Sequence, residues 1–302
     1  MPGRTDGGHH HEKTRQKGLI TLTTPREYSG NMLPSAPVVD SWEAWPFYIV
    51  CDVSSSMHAD NFAKYWGSET EKTSDSETEK TSDSETEKTS PTSPWRLMHQ
   101  LISKVVDELG EDEDVRQQVH LAVVEFADRA KTNLKLTRLD QIISVENFSK
   151  GVFTDFAAVW RHLARIIPED QKRLASTGFK SERPTIFFIT DGNPDIGSRK
   201  QTVNDWKQHV YDMRRAIGDE ERYPRIIAIG LGGMSNENVL LELHSKSPHG
   251  AAVIANDINK VSIIVKAVIE QIKKSITYSV LRGNFTWDVP EGMKNLCNLT
   301  AH

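Results

Sequence analysis

Apolar positions along the chain fall into short solid runs, separated by stretches in which they recur every three or four residues. WPFYIVCD (45–52) is an apolar run of β-forming residues that ends abruptly in a polar cluster. It is too short for a helix and predicts a buried strand. WRLMHQLISKVVDEL (95–109) carries apolar residues at 97, 98, 101, 102, 105, 106 and 109, a helical stripe. VHLAVVEFA (119–127) predicts a strand, FAAVWRHLARII (156–167) a helix and TIFFITD (185–191) a strand. A helix over 203–217, the strand RIIAIGL, a short helix in NVLLELHS, the strand AAVIA and a long helix over 257–276 follow. Solidly apolar strands that alternate with amphipathic helices predict an α/β fold: a doubly wound, mostly parallel sheet flanked by helices on both faces. Its ligand crevice is expected beyond the carboxyl ends of the strands.

The pattern also divides the chain. Residues 1–44 are polar, with Pro2, Pro25, Pro34 and Pro37, and read as a largely irregular leader in which GLITLTT (18–24) could form a short edge strand. Residues 45–278 hold the alternating elements, interrupted over 58–94, and 279–302 form a C-terminal tail in which Phe285 and Trp287 could dock on the domain or on a partner. From Ser68 the octad SETEKTSD repeats up to Ser90 without an apolar residue. Having nothing to bury, it is expected to be disordered. As a functional element it could offer its Glu side chains in cis to a neighbouring site, or accept acid-directed phosphorylation. As a bland element it is a solvated insertion.

Charge sharpens this picture. The chain of 302 residues is 37% hydrophobic and 26% charged, with formal net charge −5, ordinary for a globular protein. That net charge equals the net charge of the repeat, so the rest of the chain balances. No basic field for nucleic acid and no basic stripe for an anionic membrane are present. Cys51 lies inside an apolar run and Cys297 far from it, so no disulfide framework is indicated. The first residues have no apolar signal-like stretch and no segment reaches membrane-spanning length, which makes a cytoplasmic protein the expectation. His9, His10 and His11 read as part of the leader.

Three polar clusters fall where chemistry is expected. Asp52-Val53-Ser54-Ser55-Ser56 follows the first strand, Thr154-Asp155 opens a helix, and Thr190-Asp191-Gly192 follows the strand TIFFI. Two carboxylates and three hydroxyls at one sheet edge suit a hard divalent cation such as Mg²⁺ or Mn²⁺, which takes oxygen ligands. The alternation D-x-S-x-S places 52, 54 and 56 on one side of an extended turn. Neutral hydroxyl ligands leave the cation with residual positive charge, available to an acidic group at an open position. The candidate metal residues are Asp52, Ser54, Ser56, Thr154 and Asp191.

DVSSS, GVFTDF and FFITDG resemble the three segments of the metal-ion-dependent adhesion site (MIDAS) of von Willebrand factor A (VWA) domains. Over roughly 45–278 the chain also resembles the bacterial VWA branch associated with tellurium resistance. The resemblance implies that Ser54 and Ser56 ligate directly, that Thr154 ligates directly or through water, and that Asp52 and Asp191 act mainly through bound waters. It implies a protein-interaction module that is not an enzyme and that grips a partner's Glu or Asp, with protein kinases and PP2C-like phosphatases as candidate partners. The chain departs from the pattern at Val152-Phe153, which stand before Thr154 where a second small residue usually sits. It departs again in the roughly 35 residues between Ser56 and the next helix.

Other readings of the same residues are blander. Asp155 fits a helix-initiating residue better than a ligand, and Asp195 fits a turn residue or a rim acid. Gly230-Leu231-Gly232-Gly233 fits a turn better than a dinucleotide loop. His99, His120, His162, His209, His244 and His249 show no ligand spacing. A Mg²⁺-dependent phosphatase or hydrolase would need a second Asp where Ser54 stands, and a VWA subunit of an AAA+ ATPase machine would use the same metal residues.

Overall fold

EAWPFYIVCD forms the central strand β1 (Glu43–Asp52), buried throughout except at Glu43. Its alternation sorts its side chains to two sides: Trp45, Phe47, Ile49 and Cys51 join one core cluster, while Ala44, Tyr48 and Val50 join a second. A strand buried on both faces needs a helical layer on each. The computed structural model describes residues 43–57, 94–191, 193–231, 235–245, 250–255, 261–280, 289 and 293–297. Residues 1–42 of the expected leader, the SETEKTSD repeat, and Phe285 and Trp287 lie outside the described residues, and β1 takes in the leader's last two positions, Glu43 and Ala44.

The first layer contains α1 (Pro94–Gly110) and α6 (Val261–Val280). Leu101, Val105 and Leu109 of α1 and Ile264, Val268 and Ile272 of α6 are in the same cluster as Phe47 and Ile49. The second layer contains α3 (Phe156–Ser176), α4 (Val203–Ile217) and α5 (Glu237–Leu243). A six-residue helix, α2 (Glu113–Gln118), leads into the sheet.

Eight strands make one mixed sheet in the order β3-β2-β1-β5-β6-β7-β8, with β4 (Lys180–Ser181) also pairing β1. β1 pairs in parallel with β2 (Val119–Phe126) and β5 (Thr185–Thr190). β5 pairs in parallel with β6 (Arg225–Leu231), and β6 with β7 (Ala251–Ala255). The two edge strands, β3 (Ala130–Arg138) and β8 (Met293–Asn295), run antiparallel to their neighbours. This is the doubly wound α/β architecture that the apolar runs predict. Pro46 is accommodated in the central strand because β4 pairs residues 43 and 44 while β5 begins opposite Phe47. It occupies the junction, where a ladder bond can be spared.

Several details differ from expectation. The helix expected over 156–167 continues through Pro168 to Ser176, because Gln171 and Leu174 beyond the proline are buried. That burial offsets the hydrogen bond which the proline removes. The last helix, described over Val261–Val280, continues beyond the expected end at 276, and the expected start at 257 lies outside the described residues. Gly230 is not in a turn but in β6, packed so closely that an added Cβ would meet Leu240 and Ser235. Cys51 is fully buried in the core, as expected, and burial pushes its thiol well above the usual range. Among the described residues, no helix is long and apolar enough to cross a membrane.

Candidate metal site

β1 ends at Asp52, and the chain turns at once. The Ser54 N–H donates to Asp52 Oδ1 at 2.9 Å, folding the side chain back onto the turn. A single 3₁₀ turn, Ser55–Met57, follows, anchored by the wholly buried Met57. One strand away β5 ends at Thr190, whose hydroxyl donates to Asp52 Oδ2 at 2.7 Å. The next residue, Asp191, accepts from Ser56 Oγ at 2.9 Å. Ser54 Oγ and Ser56 Oγ are 3.1 Å apart. Asp52, Ser54, Ser56 and Asp191 therefore form one hydrogen-bonded chain across the carboxyl ends of β1 and β5. Thr190 carries a role that sequence reasoning did not assign: it braces Asp52 from the neighbouring strand.

Thr154 reaches the same edge by another route. Its N–H donates to the Asp195 carbonyl at 2.8 Å, and the Asp195 N–H donates back to the Thr154 carbonyl at 2.9 Å. The preceding residues are tied to the Asp52 turn: Gly151 N–H donates to Val53 O at 3.0 Å and Ser55 Oγ to Val152 O at 2.9 Å. Thr154 is buried, 5% exposed, like Asp52, Ser54 and Asp191, which lie between 0% and 5%. Among the described residues, no hydrogen bond links its hydroxyl to Asp52, Ser54, Ser56 or Asp191.

Asp155 caps α3, its carboxylate accepting from Ala158 N–H at 2.9 Å and from Gln201 Nε2 at 2.7 Å. That is the helix-starting role its position predicts. Asp195 proves to be a turn residue: its Oδ1 accepts from the N–H of Gly197, a residue at φ +81°. Two acids of the β2 end went unremarked in the sequence. Asp128 accepts from Val152 N–H at 2.9 Å and Phe153 N–H at 3.2 Å. The buried Glu125 accepts from Asn133 Nδ2 and Ser149 N–H, both at 2.8 Å. Together they hold the segment that delivers Thr154.

The electrostatics of the cluster are unusual. Burial is the largest cause that raises the Asp52 carboxyl above its ordinary 3.8, against hydrogen bonds from Ser54 and Thr190 that pull it down. Asp191 is raised further, by burial and then by the charge of Asp52. No cationic side chain among the described residues contributes to either. Two buried acids without a counter-charge are costly, and a divalent cation would supply one. The donor set suits such an ion in kind, since the Ser54 and Ser56 hydroxyls and the Asp52 and Asp191 carboxylates are all hard oxygen ligands. Among the described residues no group of three or more His, Cys, Asp or Glu is placed to hold a metal ion. The donors here are mixed hydroxyls and carboxylates.

No family model matches the chain, and no curated protein does. Solved structures do. The D319A mutant of the PilB minor pilin from Streptococcus sanguinis aligns over 80% of this chain and 64% of its own, with a TM-score of 0.51 and 10% identity. What the two share is the fold, a mostly parallel sheet flanked by helices. Proximal thread matrix protein 1 of the mussel byssus, in a form with a zinc-occupied MIDAS motif, aligns over 77% of this chain with a TM-score of 0.44 and 18% identity. A von Willebrand factor type A protein from Catenulispora acidiphila aligns over 76%, with a TM-score of 0.43 and 13% identity. This chain spans 46% of the mussel protein and 43% of the Catenulispora protein. At such identities the likeness is one of fold.

Proposed function

We propose that the carboxyl edge of β1 and β5 binds a divalent cation, Mg²⁺ or Mn²⁺, and uses it to hold an acidic side chain of a protein partner. Ser54 and Ser56 would ligate through their hydroxyls, Asp191 and Asp52 would act directly or through water, and Thr154 would complete the set from the third segment. The observation that carries this reading is the pair of buried, uncompensated carboxylates joined through two serine hydroxyls. When bound, the cation would supply a Lewis-acidic position for an anion, because its direct ligands Ser54 and Ser56 are neutral hydroxyls. The protein's own part is to fix the oxygens: Thr190 and the Ser54 N–H orient Asp52, and Asp191 orients Ser56. Ser54 stands where phosphoryl-transfer enzymes of comparable fold place a second Asp, which favours a binding module over a hydrolase. Protein kinases and PP2C-like phosphatases are the partner candidates that the tellurium-resistance resemblance supplies.

Thermal unfolding with Mg²⁺, Mn²⁺ and EDTA tests the metal. At one hundred times Kd the ion should stabilise the fold by about 2.7 kcal/mol, and Ser54→Ala should lose most of that gain while its unfolding without metal changes little. Capture of an acidic partner should require the ion and fail in Ser54→Ala. Turnover of a generic phosphomonoester under the same metals would favour the hydrolase instead. If neither metal shifts the melt or the capture, the reading fails.

A further inference from the structure

At the opposite edge of the sheet, where β5, β6 and β7 begin, the chain gathers a second group of charges. Arg183 precedes β5 by two residues, Arg225 opens β6, and Arg214 lies in the last turn of α4. Tyr223 holds two of them. Its carbonyl accepts from Arg183 Nε–H, and its ring lies under the Arg214 guanidinium, 5.8 Å from ring centroid to Cζ. Arg183 and Arg214 line a cavity of about 570 Å³ between the end of α4 and the segment that follows α5.

These guanidinium groups are arranged at a cost. Burial, then the charge of Arg214, pulls Arg183 below its ordinary value. Burial, then the charge of Arg183, lowers Arg225 to about 10. Among the described residues neither Arg183 nor Arg214 is in an ion pair. The buried Arg214 Nε has no hydrogen-bond partner there, and neither does the indole N–H of Trp206, a wholly buried residue that lines the same cavity. The other charges on the wall nearly cancel. Lys207 Nζ is 2.5 Å from Glu242, and Glu220 contributes the weakest of the effects on Arg183. Tyr211, 46% exposed, stands at the wall with Tyr223.

Two guanidinium groups on one cavity wall, neither ion-paired to the wall's acids Glu220 and Glu242, suit a tetrahedral oxyanion, because a guanidinium presents parallel N–H groups to two oxygens at once. We propose that this cavity binds a phosphate monoester, with Arg183 and Arg214 clasping the phosphoryl oxygens and the tyrosines flanking the group that carries it. The site shares no residue with the metal cluster and does not depend on it.

Titration calorimetry of the full chain, with inorganic phosphate, tyrosine O-phosphate and adenosine monophosphate as probes, tests the assignment. Saturable binding of at least one monoester is expected, and the tighter of the two identifies whether a phosphorylated side chain or a nucleotide is the source. Arg183→Gln and Arg214→Gln should each weaken it by roughly tenfold or more, the size of a charge-assisted hydrogen bond, with EDTA leaving it unchanged. Glu220→Gln, an exposed change that does not threaten folding, should tighten it by about twofold. Absence of binding by all three probes, heat reproduced by sodium chloride at equal ionic strength, or affinity that is undiminished in both arginine variants and no tighter in Glu220→Gln would overturn the proposal.

Discussion

Gly151 lies against Ala127 so closely that an added Cβ would come within 2.0 Å of the alanine Cβ. The turn bearing Thr154 has no room to yield there, because its backbone is held by Val53 on one side and Asp128 on the other. Gly151→Ala is expected to cost about 1–3 kcal/mol, the usual penalty of overpacking. It should also reduce the Mg²⁺-induced rise in melting temperature, because the segment must move away from the Asp52 turn. Val152 and Phe153, the departure from the family pattern, are accommodated differently: Val152 is 59% exposed, and Phe153 packs over Gly197. Protonation gives a second test at this scale. Asp52 and Asp191 have folded-state values raised above the ordinary 3.8, so above that pH the metal-free folded chain binds more protons than the unfolded one. Its stability from these groups is therefore highest in acid and falls as pH rises, the reverse of an ion-paired aspartate. Urea unfolding between pH 4 and pH 8 should show that fall in EDTA, and saturating Mg²⁺ should flatten or invert it, since the ion competes with the protons.

At the scale of elements, the buried strands and the amphipathic helices were legible because burial on two faces, or on one stripe, writes itself into the order of residues. β3 was not. AKTNLKLTR at the sheet edge fully buries only Asn133 and Leu136, so its alternation is faint. β8 is three residues long and has no fully buried side chain. The serine–aspartate cluster could be read because its residues follow strand ends at fixed spacing. What holds the Thr154 loop could not, since its supports, Glu125 and Asp128, lie 29 and 26 positions earlier and look like an ordinary strand acid and a turn acid. Thr190 was in plain sight, but its partner on β1 depends on strand order. Asp128→Ala removes two acceptor oxygens from the Thr154 loop at an exposed position. It should lower stability by about 1 kcal/mol or less yet weaken Mg²⁺ binding several-fold, measured by titrating the melt with metal.

For the molecule as a whole, the sheet separates two chemistries. Carboxylates and hydroxyls gather where β1 and β5 end, and guanidinium groups gather where β5 and β6 begin, with α4 extending between them. The paired backbone bonds of Thr154 and Asp195 belong to a larger weld. Gln201 accepts from the Phe156 N–H at 2.9 Å and donates to Asp155 at 2.7 Å, and Thr202 then starts α4 with a capping box. Two stretches forty residues apart in sequence are thus riveted into a single plate that cannot deform in one half alone. Amide hydrogen exchange would register this directly: the protons of Thr154, Asp195 and Phe156 should show one common protection factor once their intrinsic rates are divided out, and a ligand that slows one should slow all three. Independent rates would mean that the plate is hinged, and that the start of α4 does not feel what happens at the serines.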